Sequence, residues 1–322
     1  MKILIAALNW GLGHATRCIP LVRKYLSQGD EVVLGGDGES LLLLRRYFSS
    51  LRVIDLPSLE LRYDENPQQP LFYWRAIPVL IRFTIADHYY LRQILAREHF
   101  DLVISDNRFG LFSKDVRSIY ITHQLYPILP KRLAFFQPLV RALHALIFKR
   151  YHEVWVPDYP ALQASLAGDL SHGGRYDKCV KYVGPLSRFM FSFPEEISKG
   201  FLREMEYSVV VLLSGLEPQR TLFEREILDR FADSSEKVLL VRGKISAPRT
   251  ELQRDNITII PSISDDELVV AMQKANQIIV RSGYTTIMDL HVLGVLDKAE
   301  FHPTPGQSEQ EYLNTYHRFK QQ

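Results

Sequence analysis

Short apolar runs rich in β-branched residues alternate with longer helical patterns along almost the whole chain of 322 residues. This alternation is typical of βαβ units, in which successive strands lie parallel in one sheet. The expected strands are Lys2–Leu8, Glu31–Gly35, Arg52–Leu56, Leu102–Ser105, Ser118–Thr122, Glu153–Val156, Val180–Val183, Ser208–Leu213, Lys237–Arg242, Ile257–Ile260, Gln277–Val280 and Ala299–His302. A polar stretch near residue 190 separates the first set of strands from the second. We therefore predict an α/β protein with two doubly wound, Rossmann-like domains, residues 1–190 and 191–322.

Charge is divided unequally between these two domains. Residues 1–190 hold 24 Lys and Arg against 17 Asp and Glu, a net charge of +7, whereas residues 191–322 carry −5. A basic half predicts an anionic partner. Nucleic acid is disfavoured as this partner, because no helix concentrates basic residues in a groove-reading pattern.

Two segments, residues 71–95 and 130–151, are apolar, aromatic and basic. This composition fits either core helices or helices at a membrane surface, and Pro78 and Pro138 should interrupt or bend them.

No segment resembles a secretory signal or a membrane span, because the first apolar run is short and leads straight into a strand–loop–helix pattern. The two cysteines, Cys18 and Cys179, are far apart and lack metal-ligand spacing. Their low number is typical of a reducing compartment. We therefore expect a cytoplasmic protein. Because its first half is basic and aromatic, we also expect peripheral contact with the inner face of the membrane.

A glycine-rich turn that ends in histidine, Gly11-Leu12-Gly13-His14, directly follows the first expected strand. Glycines let the backbone approach a ligand, and a helix start offers free N–H groups to an anion. An imidazole at the carboxyl end of a strand in an α/β sheet is well placed for proton transfer. The alternative is that His14 only holds the loop or a phosphate.

Three loops of the second half place small, hydroxyl-bearing or amide residues directly after an expected strand. The first holds Ser214, Gly215 and Arg220, the second Arg281, Ser282, Gly283, Tyr284, Thr285, Thr286 and Asp289, and the third Gln307 and Gln310. Backbone N–H groups and hydroxyls at helix starts can hold a diphosphate, and carboxylates and amides suit ribose or sugar hydroxyls. Because the carboxyl ends of parallel strands share one edge of the sheet, these loops should form one site.

The order of these motifs, from Gly11–His14 through Arg281–Leu290 to Pro303–Asn314, resembles the GT-B glycosyltransferases of family 28, the MurG-like enzymes of envelope glycan synthesis. The resemblance covers essentially the whole chain. It implies two domains facing each other across a cleft, and transfer of N-acetylglucosamine or a related hexose from a UDP-sugar. The implied acceptor is an envelope glycan or a lipid-linked molecule. The implied reaction inverts the anomeric carbon and uses no metal or other cofactor.

The resemblance also implies roles for individual residues. Residues 282–286 would surround the diphosphate, and Gly13 would also lie on the donor side. Asp289 would bind the ribose and Gln310 the donor sugar, and Ile263 would contact uracil through its backbone. The chain departs from the family at two positions. Asp289 stands where Glu is common, and Glu311 stands where a second glutamine is frequent.

The first domain should supply the acceptor side and the catalytic base. His14 is the first candidate for the base, since imidazole exchanges a proton near neutral pH. Asp106, at the end of the strand Leu102–Ser105, is the rival base. Asn107, Arg108 and His123 follow neighbouring strands and are expected to face the acceptor.

Two other functions fit the same pattern. A UDP-sugar epimerase of GT-B fold would use acidic residues beside the donor sugar, for which Glu217 and Glu309 are candidates. A non-catalytic UDP-sugar-binding homologue is the second alternative. It arises because only a few residues after Asn314 are present to form a helix that crosses back to the first domain.

Overall fold

The structure is a computed structural model that describes residues 1–59, 70–174, 179–191, 207–215, 217–245, 247–248 and 250–320. The strands are β1 Lys2–Ala7, β2 Glu31–Gly36, β3 Val53–Asp55, β4 Leu102–Asp106, β5 Arg117–Ile121, β6 Glu153–Val156, β7 Val180–Tyr182, β8 Val209–Leu212, β9 Val238–Val241, β10 Leu252–Arg254, β11 Ile257–Ile260, β12 Gln277–Arg281 and β13 Ala299–His302. The α-helices are α1 Gly13–Ser27, α2 Gly38–Tyr47, α3 Pro70–Arg97, α4 Gln137–Phe148, α5 Asp169–His172, α6 Gln219–Arg230, α7 Asp265–Lys274, α8 Tyr284–Val292 and α9 Ser308–Lys320.

The strands form two separate sheets. The first has the order β3-β2-β1-β4-β5-β6-β7 with every pairing parallel, and the second has the order β10-β11-β9-β8-β12-β13. In each sheet the chain winds outward from an inner pair, β1 and β4 in the first and β8 and β12 in the second. This confirms the predicted doubly wound α/β class. It also places the ends of β1, β4, β8 and β12 at the switch points where such sheets bind ligands.

The domain boundary predicted near residue 190 lies between the two sheets, since β7 ends at Tyr182 and β8 begins at Val209. Residues 192–206 lie outside the described range, so the boundary itself stays a prediction. Strand β10 was missed by the sequence analysis. It is a fully exposed edge strand that pairs antiparallel with β11 around a turn at Asp255, whose φ is +51°. An exposed three-residue edge strand has no buried face and therefore no alternating pattern.

The helical segment with Pro78 is not interrupted, whereas the segment with Pro138 changes from a 3₁₀ helix to α4 directly before that proline. Helix α3 continues through Pro78, which lies on its exposed side, where water can bond to a carbonyl that the missing N–H leaves free. Pro138 lies in the first turn of α4, after a 3₁₀ turn at residues 131–136, and there no N–H is needed. No helix in the described part of the chain is both long and apolar enough to cross a membrane.

Helix α9 connects the second sheet back to the first domain. The hydroxyl of Tyr312 accepts a hydrogen bond from the backbone N–H of Asp169 at 2.7 Å, and Tyr316 donates to the carbonyl of Ser165 at 3.0 Å. His317 Nε2 lies 2.8 Å from the carbonyl of Leu166. The crossing helix that the sequence analysis expected to be short is therefore present, and these contacts join the two domains on one side of the cleft.

Candidate functional site

Loops from the carboxyl ends of both sheets meet across a cleft. Thr285, at the start of α8, donates a hydrogen bond to the carbonyl of Gly13 at 3.3 Å. The ring of Tyr284 stacks on the imidazole of His123 with centroids 4.1 Å apart. His123 Nε2 also lies 2.7 Å from a carboxylate oxygen of Glu309. The glycine-histidine turn of the first domain and the hydroxyl-rich loop of the second are thus in direct contact.

A cavity of about 870 Å³ lies between the domains on the side of α7 and α8. This volume is in the range of pockets that hold a whole cofactor or nucleotide. Its lining includes eight of the predicted donor-binding residues: Gly13, Ser214, Gly215, Arg220, Ile263, Thr285, Thr286 and Asp289. The structure therefore brings together residues that lie more than 250 positions apart in sequence.

The N-terminus of α8 borders this cavity. Helix α8 begins directly after Gly283, and Thr285 and Thr286 of its first turn line the wall. The Ser214–Gly215 turn lies beside it, where Gly215 has a φ of +95° that favours glycine. Helix α6 follows this turn, and the carboxylate of Glu217 accepts a hydrogen bond from the N–H of Thr221 in its first turn at 3.1 Å. Unpaired N–H groups and the positive ends of helix dipoles attract anions, so this end of the cavity suits a diphosphate.

The same cavity also borders a group of charged and hydroxyl side chains. Asp289 accepts a hydrogen bond from Ser187 at 2.6 Å, and its second oxygen lies 3.7 Å from Arg188 Nε. Asp265 lies 3.4 Å from the same nitrogen and accepts a hydrogen bond from Tyr47 at 2.6 Å. Burial raises the pKa of Asp289 to about 6, against the opposing effect of Arg188. The carboxylate of Asp289, which is predicted to bind ribose, therefore already contacts Ser187 and Arg188, in the segment that links the two sheets.

Asp265 and Asp266 begin α7, as the sequence analysis expected of a polar helix start. Ser264 caps this helix, and its hydroxyl accepts from the N–H of Glu267 while Glu267 accepts from the N–H of Ser264. Ile263 lies just before the cap and lines the cavity, in the position predicted for a base contact.

Two predicted donor-binding residues lie behind the loops instead of in the cavity. Arg281 donates to the carbonyls of Pro303 at 3.0 Å and Gln219 at 3.1 Å, and its guanidinium lies 4.0 Å from the centroid of the Phe223 ring. Ser282 donates to the carbonyl of Gln310 at 2.8 Å. Neither residue lines the described cavities. Their contacts tie together the loops that follow β8, β12 and β13, because buried polar groups bond to the nearest backbone.

A second cavity, of about 350 Å³, adjoins the first on the side of β4 and β5. The two share the turn at residues 11–13, the Ser214–Gly215 turn and both threonines of α8. The second cavity is lined by the predicted residues His14, Asn107, His123, Gly283, Tyr284, Gln307 and Gln310. Gln310 accepts from the N–H of Thr304 at 2.8 Å and donates to Gln307 at 2.6 Å, so both amides are held in place at its rim.

His14 lines the smaller cavity directly after Gly13, which lines both, and two buried charges support it. Its Nδ1 lies 2.6 Å from Asp106 Oδ1 and 2.6 Å from Arg17 Nη2. Arg17 also donates to both oxygens of Asp106, at 2.5 and 3.0 Å. Because a carboxylate can only accept, we assign the imidazole proton to Nδ1, which donates it to Asp106, and this assignment leaves Nε2 with a lone pair. No described residue forms a hydrogen bond with Nε2.

Burial and the guanidinium of Arg17 lower the pKa of His14 below its usual value, although Asp106 acts in the opposite direction. Burial alone would raise the pKa of Asp106, but Arg17 and His14 hold it below the ordinary range. At neutral pH the group is therefore a neutral imidazole, an ionised carboxylate and a guanidinium. The sequence analysis did not predict Arg17 as a site residue. Its position three residues after His14 in a helix does predict that the two side chains share a face.

Asp106 and Arg108 are both inaccessible to solvent and line neither cavity. Arg108, predicted to face the acceptor, is bonded to Asp87 at 2.6 Å and to Asp37 at 3.0 Å. Burial raises the pKa of Asp87 to about 6 despite that bond. The prediction that Arg108 faces the acceptor is therefore wrong. A buried guanidinium needs carboxylate partners, and Arg108 has them inside the domain. Asn107, with a φ of +56°, does reach the cavity and accepts from Tyr120 at 2.8 Å.

The two glutamates suspected of epimerase chemistry have protein partners. Glu309 binds His123, and Gln124 donates to its other oxygen, so it joins the two domains at the wall of the second cavity. Burial opposes ionisation of Glu309, but His123 holds its pKa below the usual value. Glu217 is paired with Arg220 at 2.6 Å and accepts from Thr221 at 2.8 Å. Both glutamates therefore have structural contacts in this state of the protein.

Comparison with family models finds none that matches the chain. Among curated proteins, relatives include uncharacterised glycosyltransferases of Methanosarcina acetivorans and Methanosarcina mazei, which are 23% and 22% identical over 330 and 333 residues. Each alignment covers 97% of this chain and 82% of the relative. These names agree with the prediction that the chain is an enzyme of the glycosyltransferase class.

Solved structures with the same fold include a glycosyltransferase, a rhamnosyltransferase and LpCGTa. The calicheamicin glycosyltransferase has a TM-score of 0.62 at 14% identity and matches 99% of this chain and 83% of its own. The spinosyn rhamnosyltransferase complexed with thymidine diphosphate scores 0.60 at 12% identity, over 97% and 84%. LpCGTa in complex with UDP scores 0.61 at 15% identity, over 99% and 82%. The chain therefore has the GT-B glycosyltransferase fold, whereas the narrower resemblance to family 28 stays a prediction.

Proposed function

We propose that this protein transfers a hexose from a UDP-sugar to an acceptor hydroxyl in a single inverting displacement, with His14 as the general base. The observation that carries the proposal is the position of His14. Its imidazole lines the smaller cavity directly after Gly13, which lines both cavities, and its Nδ1 is bonded to a buried carboxylate. A donor in the first cavity and an acceptor in the second would meet beside its Nε2.

The reaction follows from these positions. Nε2 of His14 takes the proton of the acceptor hydroxyl while the oxygen forms a bond to the anomeric carbon. The bond from that carbon to the diphosphate breaks on the opposite face, and UDP leaves with the electron pair. Asp106 stabilises the imidazolium that forms, since its carboxylate lies 2.6 Å from Nδ1.

Between the two candidate bases, the geometry favours His14. Asp106 is fully buried, and both of its oxygens already accept hydrogen bonds from Arg17. A general base must come within hydrogen-bond distance of the proton that it removes. Asp106 is therefore proposed as the residue that positions His14.

We propose that the donor diphosphate is held by the N-terminus of α8, by Thr285 and Thr286 and by the Ser214–Gly215 turn, with no metal ion required. N–H groups fixed before the reaction can stabilise a leaving diphosphate at no cost of reorganisation. The nucleotides named for two structures of the same fold, UDP and thymidine diphosphate, support a nucleoside diphosphate donor. UDP-N-acetylglucosamine is the first donor to test, and a related UDP-hexose is the second.

We also propose peripheral contact with the inner face of a membrane, which would present a lipid-linked or envelope-glycan acceptor. Helix α4 and the turn before it expose Phe135 at 90%, Leu139 at 56% and Leu146 at 58%. Lys131 and Arg132 lie beside them and are exposed. Apolar side chains flanked by basic ones suit an anionic lipid surface. Sedimentation with phosphatidylglycerol vesicles tests this, and equal binding by the wild type and a Phe135→Ser/Leu139→Ser variant would contradict it.

The experiment for the catalytic proposal is release of UDP from a panel of UDP-sugars, with and without acceptor extracts. We expect acceptor-dependent release of UDP, with transfer of the sugar shown by mass spectrometry. Conversion of a UDP-sugar into its epimer with no acceptor would favour the epimerase alternative. Binding of UDP without turnover on any acceptor would favour the non-catalytic one.

A further inference from the structure

The first turn of α9, in the second domain, docks on the loop that follows β5 in the first domain. Glu309 Oε1 lies 2.7 Å from His123 Nε2, and Gln124 donates to the other carboxylate oxygen. The neighbouring hydroxyl of Ser308 donates to the carbonyl of Ile128 at 2.5 Å. A carboxylate of the second domain is thus fixed against the domain that carries His14.

His123 connects Glu309 to the charged group behind His14. Its Nδ1 lies 3.2 Å from Arg17 Nη1, and the same guanidinium donates to Asp106. Because a guanidinium can only donate and a carboxylate can only accept, we assign a lone pair to Nδ1 of His123 and a proton to its Nε2. A neutral imidazole therefore joins Arg17 to Glu309, and hydrogen bonds run without a break from one carboxylate to the other.

Glu309 decides the net charge of this group. The first domain contributes the guanidinium of Arg17 and the carboxylate of Asp106, which cancel, and Glu309 adds a further negative charge. Burial opposes ionisation of Glu309, but His123, Arg17 and His14 hold its pKa below the usual value. With both imidazoles neutral, the whole group carries a net negative charge, which favours uptake of a proton by His14.

The proposed reaction makes His14 an imidazolium inside this group. With Glu309 in place, the proton brings the net charge of the group to zero. Without Glu309, the same proton would leave a positive charge at a buried site with no compensating carboxylate, which is costly. Since Glu309 belongs to the second domain, this compensation exists only where the two domains meet across the cleft.

We propose that Glu309 is a positioning residue that completes the His14 group from the second domain, through His123, so that the base is fully active only when the domains are closed. This inference rests on the proposed transferase function and deepens it. It assigns part of the activation of the base to the domain proposed to bind the UDP-sugar. Proton transfer is thereby coupled to closure of the cleft around the donor.

The test compares Glu309→Gln with Glu309→Asp in the full-length protein. Glutamine keeps the size of the side chain and an oxygen that can accept from His123, but it removes the charge. Aspartate keeps the charge, but it is one methylene too short for the 2.7 Å contact. A charge role therefore predicts that aspartate is the better replacement, whereas a role confined to holding the domains together predicts that glutamine is.

Release of UDP from UDP-N-acetylglucosamine and UDP-glucose, with n-octyl β-D-glucoside and with water as acceptors, measures the effect at neutral pH. We expect Glu309→Gln to lower kcat about tenfold, the effect of one nearby charge that water partly screens, because 28% of the Glu309 side chain is exposed. The KM for the UDP-sugar should change less than about threefold. Glu309→Asp should keep at least about a third of the wild-type kcat.

Gln124→Ala is the matched control, because it removes the other hydrogen bond to Glu309 and leaves the charge. It should lower kcat by less than Glu309→Gln does. Activity of Glu309→Gln equal to or above that of Glu309→Asp would overturn the charge role, and a raised KM with unchanged kcat would do the same. If the wild type releases no UDP with any of these donors and acceptors, the proposed function itself is contradicted, and the base that Glu309 completes is lost with it.

Discussion

Two strand–loop–helix units face each other in this protein, the β1–α1 turn of the first domain and the β12–α8 turn of the second. Both place a glycine at a helix start, and they touch through Gly13 and Thr285. The first turn continues into His14, which is supported by a buried carboxylate and guanidinium. The second continues into two threonines and offers backbone N–H groups. Under the proposed function, the same local architecture provides a proton acceptor on one side and an anion site on the other.

The largest effect should come from His14, the residue that most distinguishes the two turns. His14→Ala should lower kcat by about 10²–10⁴-fold, the usual contribution of general base catalysis, with the dissociation constant for UDP-glucose changed less than about twofold. Steady-state kinetics and calorimetry measure the two quantities. His99→Ala is the matched control, because the side chain of His99 is 82% exposed. An equal loss of turnover and of donor binding would remove His14 from the base role.

The second-largest effect should come from Asp106, the carboxylate that supports His14. Asp106→Asn should lower kcat by about a hundredfold and destabilise the protein by roughly 3 kcal/mol, because Arg17 is left buried without its carboxylate. Chemical denaturation measures the stability, with the exposed Asp115→Asn as control.

A pH profile separates the two roles of Asp106. A base works above its pKa, and the wild-type acid limb should lie below pH 6.5 because the pKa of His14 is lowered. Since Asp106 raises the pKa of His14, its removal should move the acid limb of the residual activity to still lower pH. An unmoved limb would show that Asp106 acts on stability alone.

The contact between the turns can be tested with glycine substitutions. A Cβ at Gly13 would lie 2.9 Å from Thr285 Oγ1, whereas a Cβ at Gly283 would meet nothing within 4 Å. Gly13→Ala should therefore cost about 1–2 kcal/mol of unfolding free energy in the ligand-free protein, and Gly283→Ala less than about 0.5 kcal/mol. The double variant Gly13→Ala/Thr285→Ala should cost less than the sum of its single variants. Additive costs would mean that the turns do not touch in solution.

The smallest effect concerns Asp289, which lines the larger cavity one helical turn after Thr285. Because its pKa is raised to about 6, the carboxylate ionises between pH 5 and 7, and ribose hydroxyls bond best to the charged form. Affinity for UDP-glucose, whose diphosphate stays ionised over this range, should rise about fivefold from pH 5 to pH 7. Asp289→Asn should bind with little pH dependence, while Asp266→Asn, in the same cavity, should behave as the wild type. A wild-type affinity that is constant from pH 5 to 7 would exclude Asp289 from ribose binding.

Much of the fold could be predicted because parallel, buried strands leave a strong local signal. The expected strands Glu153–Val156, Ile257–Ile260 and Ala299–His302 have the observed bounds. Strand β10 could not be predicted, since it is held by a turn and not by a buried face. The site was predicted where it depends on backbone position, as at Thr285 and Asp289. It was not predicted where a side chain turns away from the loop that carries it, as with Arg281.

The sequence by itself determined the α/β class, the two sheets and the loops that carry polar residues, because strand periodicity and glycine turns act over a few neighbouring residues. Only the tertiary structure decided which polar side chains work together. It placed Asp106 and Arg17 behind His14 and removed Arg108 into a buried ion group. These pairings, and the pKa values that follow from them, depend on burial and on distances between residues far apart in the chain. No local sequence pattern encodes burial or such distances.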